Sequence, residues 1–301
     1  MGLVNSFLDG VTSRQTRRAY RTDLRRFFQT DEVTEVTKAE VTSVEAEDVQ
    51  SFVRTMRDEN DSLATQRRRL AALRSFFDWL VEEGVATYNP ARHPTVAPLP
   101  PETSASSPST LSKDALETLI ATAGDASRSG PRDRALILTI VYAALRRGEV
   151  AQISVDDVRP LGRYWILDLE PDDGGGSYVR VPEIVIEAIE QVKDVYGITS
   201  GRLWRSLSPR NRGEPMSPDA IYKVVRRRSA DAGLDPVSID TLRRSGLQLA
   251  LQGGADLPQV RAHGRLQDAS SAARLHESDD RSGGLGESAV DYIDLDISVQ
   301  P

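Results

Sequence analysis

Ala144-Leu145-Arg146-Arg147-Gly148-Glu149 sets two arginines beside an apolar helical pattern, and Thr241-Leu242-Arg243-Arg244-Ser245 repeats the device 97 residues later. A fold that joins Arg146 to Arg243 makes a doubly cationic clamp for one phosphate. Arginine suits that task because its planar fork donates two parallel hydrogen bonds and keeps its charge. Whether such a clamp still has a reaction to run depends on the sequence around it.

The chain has 301 residues, enough for two domains with separate cores. Its net charge of −7 argues at first against a polyanionic partner. The excess is local, however: residues 277–301 hold seven acids and one arginine, so the remaining 276 residues are close to neutral. Local field rather than net charge governs phosphate binding. Only four of the 38 basic residues are lysine, a bias that fits arginine-based phosphate recognition or simply the codon usage of the source. There are no cysteines, which excludes disulfides and thiolate chemistry, and the three histidines are scattered, so no metal site is expected. No apolar run approaches the ~18 residues of a membrane span, and no signal-peptide pattern opens the chain. A cytoplasmic protein is expected.

Working outward, residues 1–87 read as a small helical domain. From Ser13 to Phe28, Thr16, Tyr20, Leu24 and Phe27/Phe28 recur on one helical face. Arg14, Arg18, Arg21 and Arg25 line another over roughly 16 Å, a row of like charges that solvent or phosphates must relieve. A second helix is expected over Glu47–Arg57. A third begins after the N-cap Ser62, with Leu70, Leu73, Phe77 and Leu80 inward and Arg67, Arg68, Arg69 and Arg74 on its other faces. Six prolines and a Ser/Thr cluster then mark residues 88–110 as a linker.

Residues 111–276 read as a second, mainly helical domain with a small β-hairpin. Strands are expected over Arg163–Leu169, with Trp165, Leu167 and Leu169 facing the core, and over Ser177–Val181. Helices return at Ile184–Val195, Pro218–Ala232, Thr241–Leu251 and Leu257–Ala262. A third basic face is expected at Arg226–Arg228. Residues 277–301 read as an acidic flexible tail with one docking patch, Val290-Asp291-Tyr292-Ile293.

Together these residues resemble the tyrosine recombinases, or phage integrases. Ser13-x-x-Thr16-x-x-x-Tyr20 is similar to the opening of that family's SAM-like core-binding domain. Ala72 to Leu80, followed by Gly84 and Asn89-Pro90, is similar to its end. Asp133-Arg134-Ala135-Leu136 leading into Ala144–Glu149 resembles the approach to the first arginine box and the box itself. Ile153-x-x-x-Asp157-Val158 resembles the run after it, and Ala232-Gly233-Leu234 with Leu242-Arg243-Arg244-Ser245-Gly246 the second box. The resemblance implies a two-domain clip on double-stranded DNA, working with itself or a partner recombinase, with no metal or other cofactor. It implies that Arg146 and Arg243 bind the non-bridging phosphate oxygens while a tyrosine attacks phosphorus to leave a 3′-phosphotyrosine. A hairpin lysine then protonates the leaving 5′-oxygen, and histidines assist. Glu149 matches the acid that buttresses the first box.

Several of the implied positions are altered. Asp240 stands where the second box has histidine, as a bare carboxylate beside the phosphate or as a helix N-cap. The hairpin lysine falls near Gly174, in a glycine turn that offers amides or only a flexible loop. The family's later Gly-His pair is Gly264-Arg265, where Arg265 replaces the histidine as a permanent donor, unless a local shift brings in His263. The nucleophile position falls at Arg274, 31 residues after Arg243, either a further phosphate contact or a solvated arginine; His276 follows. Tyr292 lies 49 residues after Arg243 and is either a displaced nucleophile, acting in its own or a neighbouring subunit, or a hydrophobic anchor for the tail. The reading is therefore a DNA-binding chain of this family, with Arg14, Arg18, Arg21, Arg25, Arg67, Arg68, Arg74, Arg244 and Arg265 as DNA contacts and strand cleavage lost. The alternative is an active recombinase that uses Tyr292.

Overall fold

Ser62 accepts a hydrogen bond from the Thr65 amide and so starts the longest helix among the described residues, Leu63–Glu82. That observation comes from a computed structural model, which describes residues 2–100, 110–169, 177–266 and 288–297, the side chains of Arg14, Gln15, Thr34 and Ser177 excepted. The chain divides into two compact units, 1–104 and 105–301.

In the first unit the helices are α1 (Leu3–Gly10), α2 (Arg14–Phe28), α3 (Lys38–Thr42), α4 (Ala46–Asp58) and α5 (Leu63–Glu82). Leu70, Leu73, Phe77 and Leu80 are fully buried along α5, as their spacing predicts. Each such side chain contributes on the order of 1.5–3 kcal/mol. Phe7, Phe27, Phe28, Phe52 and Phe76 join this core through edge contacts, with ring centroids such as Phe7–Phe76 5.3 Å apart, and Trp79 stacks on Phe76. Helix α1, absent from the sequence reading, supplies Val4, Phe7 and Leu8.

The second unit runs α6 (Lys113–Ala123), α7 (Gly130–Tyr142), α8 (Arg147–Gln152), β1 (Val158–Leu161), β2 (Tyr164–Leu169), β3 (Ser177–Val181), α9 (Glu183–Tyr196), α10 (Pro218–Asp231), α11 (Ile239–Gln252) and α12 (Leu257–Gly264). A 3-10 turn, Ala289–Tyr292, follows. The architecture is mainly α with one small antiparallel sheet in the order β1-β2-β3. The expected hairpin is β2–β3, pairing Leu167 with Val179; β1 extends it, pairing Val158 with Leu167. Ile166, which alternates with the core-facing Trp165 and Leu167 and so falls on the opposite face, is buried as well. Its cross-strand partners are Arg159 and Arg180, whose long stems shield apolar surface.

One close approach positions the arginine boxes. A Cβ on Gly246 of α11 would lie 2.1 Å from the Val141 carbonyl oxygen of α7, so only glycine permits this crossing. The crossing brings Arg243, one turn earlier on α11, to the end of α7, where the first box begins.

Candidate functional site

Helix α7 stops at Tyr142 because Ala144 adopts a left-handed conformation, φ 47°. An alanine pays on the order of 1–2 kcal/mol there, and its surroundings must hold it. The turn points the Ala144 carbonyl at two guanidiniums: it accepts from Arg243 Nε at 2.9 Å and from Arg265 Nη2 at 2.8 Å. Arg243 Nη2 also donates to the Gly264 carbonyl. The Arg243 side chain is thereby fixed at both ends of its fork while its Nη1 stays uncommitted among the described residues, apart from a loose 3.9 Å approach to Asp240.

Arg146 sits at the N-terminus of α8. Its backbone amide donates to Glu149 Oε2 (2.6 Å), its Nη1 to Glu149 Oε1 (2.8 Å) and its Nη2 to the Arg265 carbonyl (2.6 Å). Among the described residues its Nε and one proton on each terminal nitrogen remain open, and the side chain is exposed. Glu149 therefore does buttress the first box, and it also takes Arg265 Nη2 at 2.9 Å. Burial works against the Glu149 charge, yet Arg265 and Arg146 hold its carboxyl below the usual range. Arg243 is pushed down to about 10, by burial first and then by the positive charges of Arg146 and Arg265. Three arginines around one half-buried carboxylate form a cationic, partly dry centre, which an anion would relieve.

The altered positions fall as follows. Asp240 is not the cap of α11; Ser238 is, accepting from the Thr241 amide at 2.9 Å. Asp240 pairs instead with Arg244 at 2.9 Å, which occupies part of that arginine's fork. His263 does not enter the centre: it is buried, donates from Nε2 to the Tyr142 carbonyl (2.7 Å), and is pushed down to about 4 by burial. Gly174, Arg274 and His276 lie outside the described residues.

Tyr292 is described, and it lies elsewhere. Its backbone presses on Gly253 and its ring on Gly254, just past the end of α11. Gly253 is ten residues beyond Arg243, about 15 Å along the helix. Ala289, Val290 and Ile293 are buried around it, so the segment is seated as the docking patch its sequence suggested.

The basic faces differ among themselves. On α2, Arg18, Arg21 and Arg25 are exposed, and the Arg14 side chain is outside the described residues. On α5, Arg67 donates to the Pro100 carbonyl (2.6 Å) and Arg68 is paired with buried Asp23. Arg74, expected to face DNA, turns inward to the Ala91 carbonyl at 3.2 Å, where it ties α5 to the chain beyond. Arg228 corrects the expected basic face of α10: it is buried against Asp133 (2.9 Å) and Asp125 (2.8 Å), whereas Arg226 is exposed. Sequence reasoning missed a contact next to the clamp. Arg147 bonds Asp219 and stacks on Tyr222, 5.0 Å from the ring centre, joining α8 to α10.

Residues 6–84 match the family model for the phage integrase N-terminal SAM-like domain, and residues 109–275 match the model for the phage integrase family. This chain is a phage integrase family member, a tyrosine recombinase by descent. Among its relatives is tyrosine recombinase XerC 2 of Ralstonia nicotianae, 28% identical over 94% of this chain and 89% of the relative. Tyrosine recombinase XerD of Listeria innocua is 25% identical over 82% of each chain. The fold is similar to that of lambda integrase residues 75–356 in a dimer bound to a COC′ core site, with TM-score 0.66 and 16% identity over 94% of this chain and 98% of the other. XerH bound to a palindromic difH substrate gives TM-score 0.65 and 17% identity over 87% and 76%. No described helix is long and apolar enough to cross a membrane.

Proposed function

We propose that this family member grips duplex DNA in site-specific recombination or integration and has lost strand cleavage. The observation that carries this reading is the separation of two parts. Arg146 and Arg243 are anchored on the neighbouring Arg265 and Gly264 carbonyls, near enough for the charge of one to act on the other, and keep donors open among the described residues, while Tyr292 packs against the glycines about 15 Å along α11 from Arg243. Arginines alone bind a phosphate and stabilise charge on it, but they do not supply the attacking oxygen or the proton for the leaving group. Related recombinases crystallised on DNA as dimers support duplex DNA, and a second copy or a partner recombinase, as the partners here. A DNA partner of this kind would place the chain with the nucleoid in the cytoplasm.

In this reading residues 1–87 form the SAM-like DNA-binding domain, 88–110 a linker, 111–276 the catalytic-like domain and 277–301 the acidic tail. Arg14, Arg18, Arg21 and Arg25 contact the phosphate backbone from α2, with Arg67, Arg68 and Arg244 adding charge. Arg74 and Arg265, bonded inward, drop out of the contact set. Backbone contacts of this kind position the protein and carry little sequence information.

Binding of labelled duplex DNA across a salt series tests the reading. Arg146→Ala should weaken binding about tenfold and flatten the plot of log affinity against log salt by about 0.9. Unchanged affinity and slope would remove the clamp.

A further inference from the structure

A guanidinium carries five N–H groups. Those of Arg265 meet five acceptors within the unit. Nε donates to Glu149 Oε1 at 3.3 Å, Nη2 to Glu149 Oε2 at 2.9 Å and to the Ala144 carbonyl at 2.8 Å. Nη1 donates to the carbonyls of His263 at 2.8 Å and Ala143 at 3.3 Å. The side chain is 13% exposed, so no donor is left over for a phosphate.

The groups that Arg265 holds are the groups that hold the clamp. Glu149 Oε1 also accepts from Arg146, and the Ala144 carbonyl also accepts from Arg243. The main chain contributes as well. The Arg265 carbonyl takes Arg146 Nη2, and the neighbouring Gly264 carbonyl takes Arg243 Nη2. Arg265 is itself left-handed, φ 51°, which turns the chain so that both the carbonyls and the side chain face the same place. Without its guanidinium, the Ala143 and His263 carbonyls would lose donors, and the left-handed Ala144 turn would lose one of its two ties.

We propose that Arg265 is a positioning residue that bolts Glu149 and the Ala143-Ala144 turn to the end of α12, and so aims Arg146 and Arg243 at one phosphate without touching DNA itself. The proposal rests on the phosphate-clamp reading of those two arginines. It also explains why arginine serves at this position: only a five-donor fork satisfies five acceptors at once.

A mutant cycle read by duplex DNA binding tests it. In the otherwise unaltered chain, Arg265→Ala should weaken binding about tenfold, and Arg265→Lys should recover only part of that loss, because three donors on a point charge cannot replace the fork. In the Arg146→Ala/Arg243→Ala background, Arg265→Ala should change affinity less than about twofold, since nothing remains to be aimed. A further loss of about tenfold in that background, with the salt slope falling by about 0.9, would mean direct phosphate contact and overturn the proposal. So would an Arg265→Ala chain that binds as tightly as the unaltered one. Arg265→Gln, which keeps bulk and some donors, runs through the same cycle if the alanine chain does not fold. If Arg146→Ala/Arg243→Ala alone leaves affinity unchanged, the clamp reading itself fails and Arg265 loses its role with it.

Discussion

Two parts of the second unit meet α11, and they are held in opposite ways. Near its start, Arg243 is gripped by buried carbonyls of the Ala144 turn and Gly264, with Arg146, Glu149 and Arg265 completing a network in which nearly every bond is internal. Just past its end, the Tyr292 segment is held by small-residue fit, by the buried Ala289, Val290 and Ile293, and by ion pairs, the partly exposed Arg180–Asp291 at 2.9 Å and the exposed Lys113–Asp294 at 3.0 Å. The first arrangement fixes donors toward an open place; the second fixes a tyrosine against glycines. On the proposed reading, phosphate recognition and nucleophile delivery are separable parts of this fold, and this chain keeps the first without the second.

If the arginine end is backed by a buried imidazole that must stay neutral, acid should loosen it strongly. His263, in the wall behind Gly264, is held down to about 4 in the folded chain against an ordinary value of 6.5. As pH falls below 6.5 the unfolded chain takes up this proton first, so the stabilisation present above pH 6.5 is lost progressively and is gone near pH 4. The size is about 3 kcal/mol. Thermal melts at pH 7 and pH 4.5 should show that loss. His263→Gln, whose amide still donates to the Tyr142 carbonyl, should remove most of it, and an unaltered pH dependence would contradict the account.

The tyrosine end should respond weakly. Asp291→Ala removes a half-exposed pair, an effect below about 1 kcal/mol. Hydrogen exchange of residues 288–297 should rise while duplex affinity changes less than about twofold. Unchanged exchange, or a large loss of affinity, would break the contrast between the two ends.

Periodicity exposed most of the helices, and the buried stripe of α5 follows it residue by residue. It also held information that charge obscured. Ile221, Val224, Val225 and Arg228 share one helical spacing, so Arg228 belongs to the inner face of α10, where Asp125 and Asp133 receive it. Reading Arg226–Arg228 as one basic face ignored that spacing. Arg265 is a different case. Its position after Gly264 was legible, but its direction depends on two left-handed residues, Ala144 and Arg265, and nothing in an alanine or an arginine announces positive φ. β1 escaped because Pro160 suppresses a strand pattern, which an edge strand tolerates. The arginine boxes were legible as motifs; the carbonyls that aim them were not.

The most direct measurement concerns the bond that the chain is proposed not to make. Duplexes that this protein binds, selected from random-sequence DNA, are rebuilt with a nick beside each candidate phosphate and incubated with it, and denaturing gels then report covalent protein–DNA adduct. Retained binding with no adduct, in both the unaltered chain and Tyr292→Phe, is the result this account predicts. An adduct that forms in the unaltered chain and disappears in Tyr292→Phe would contradict it.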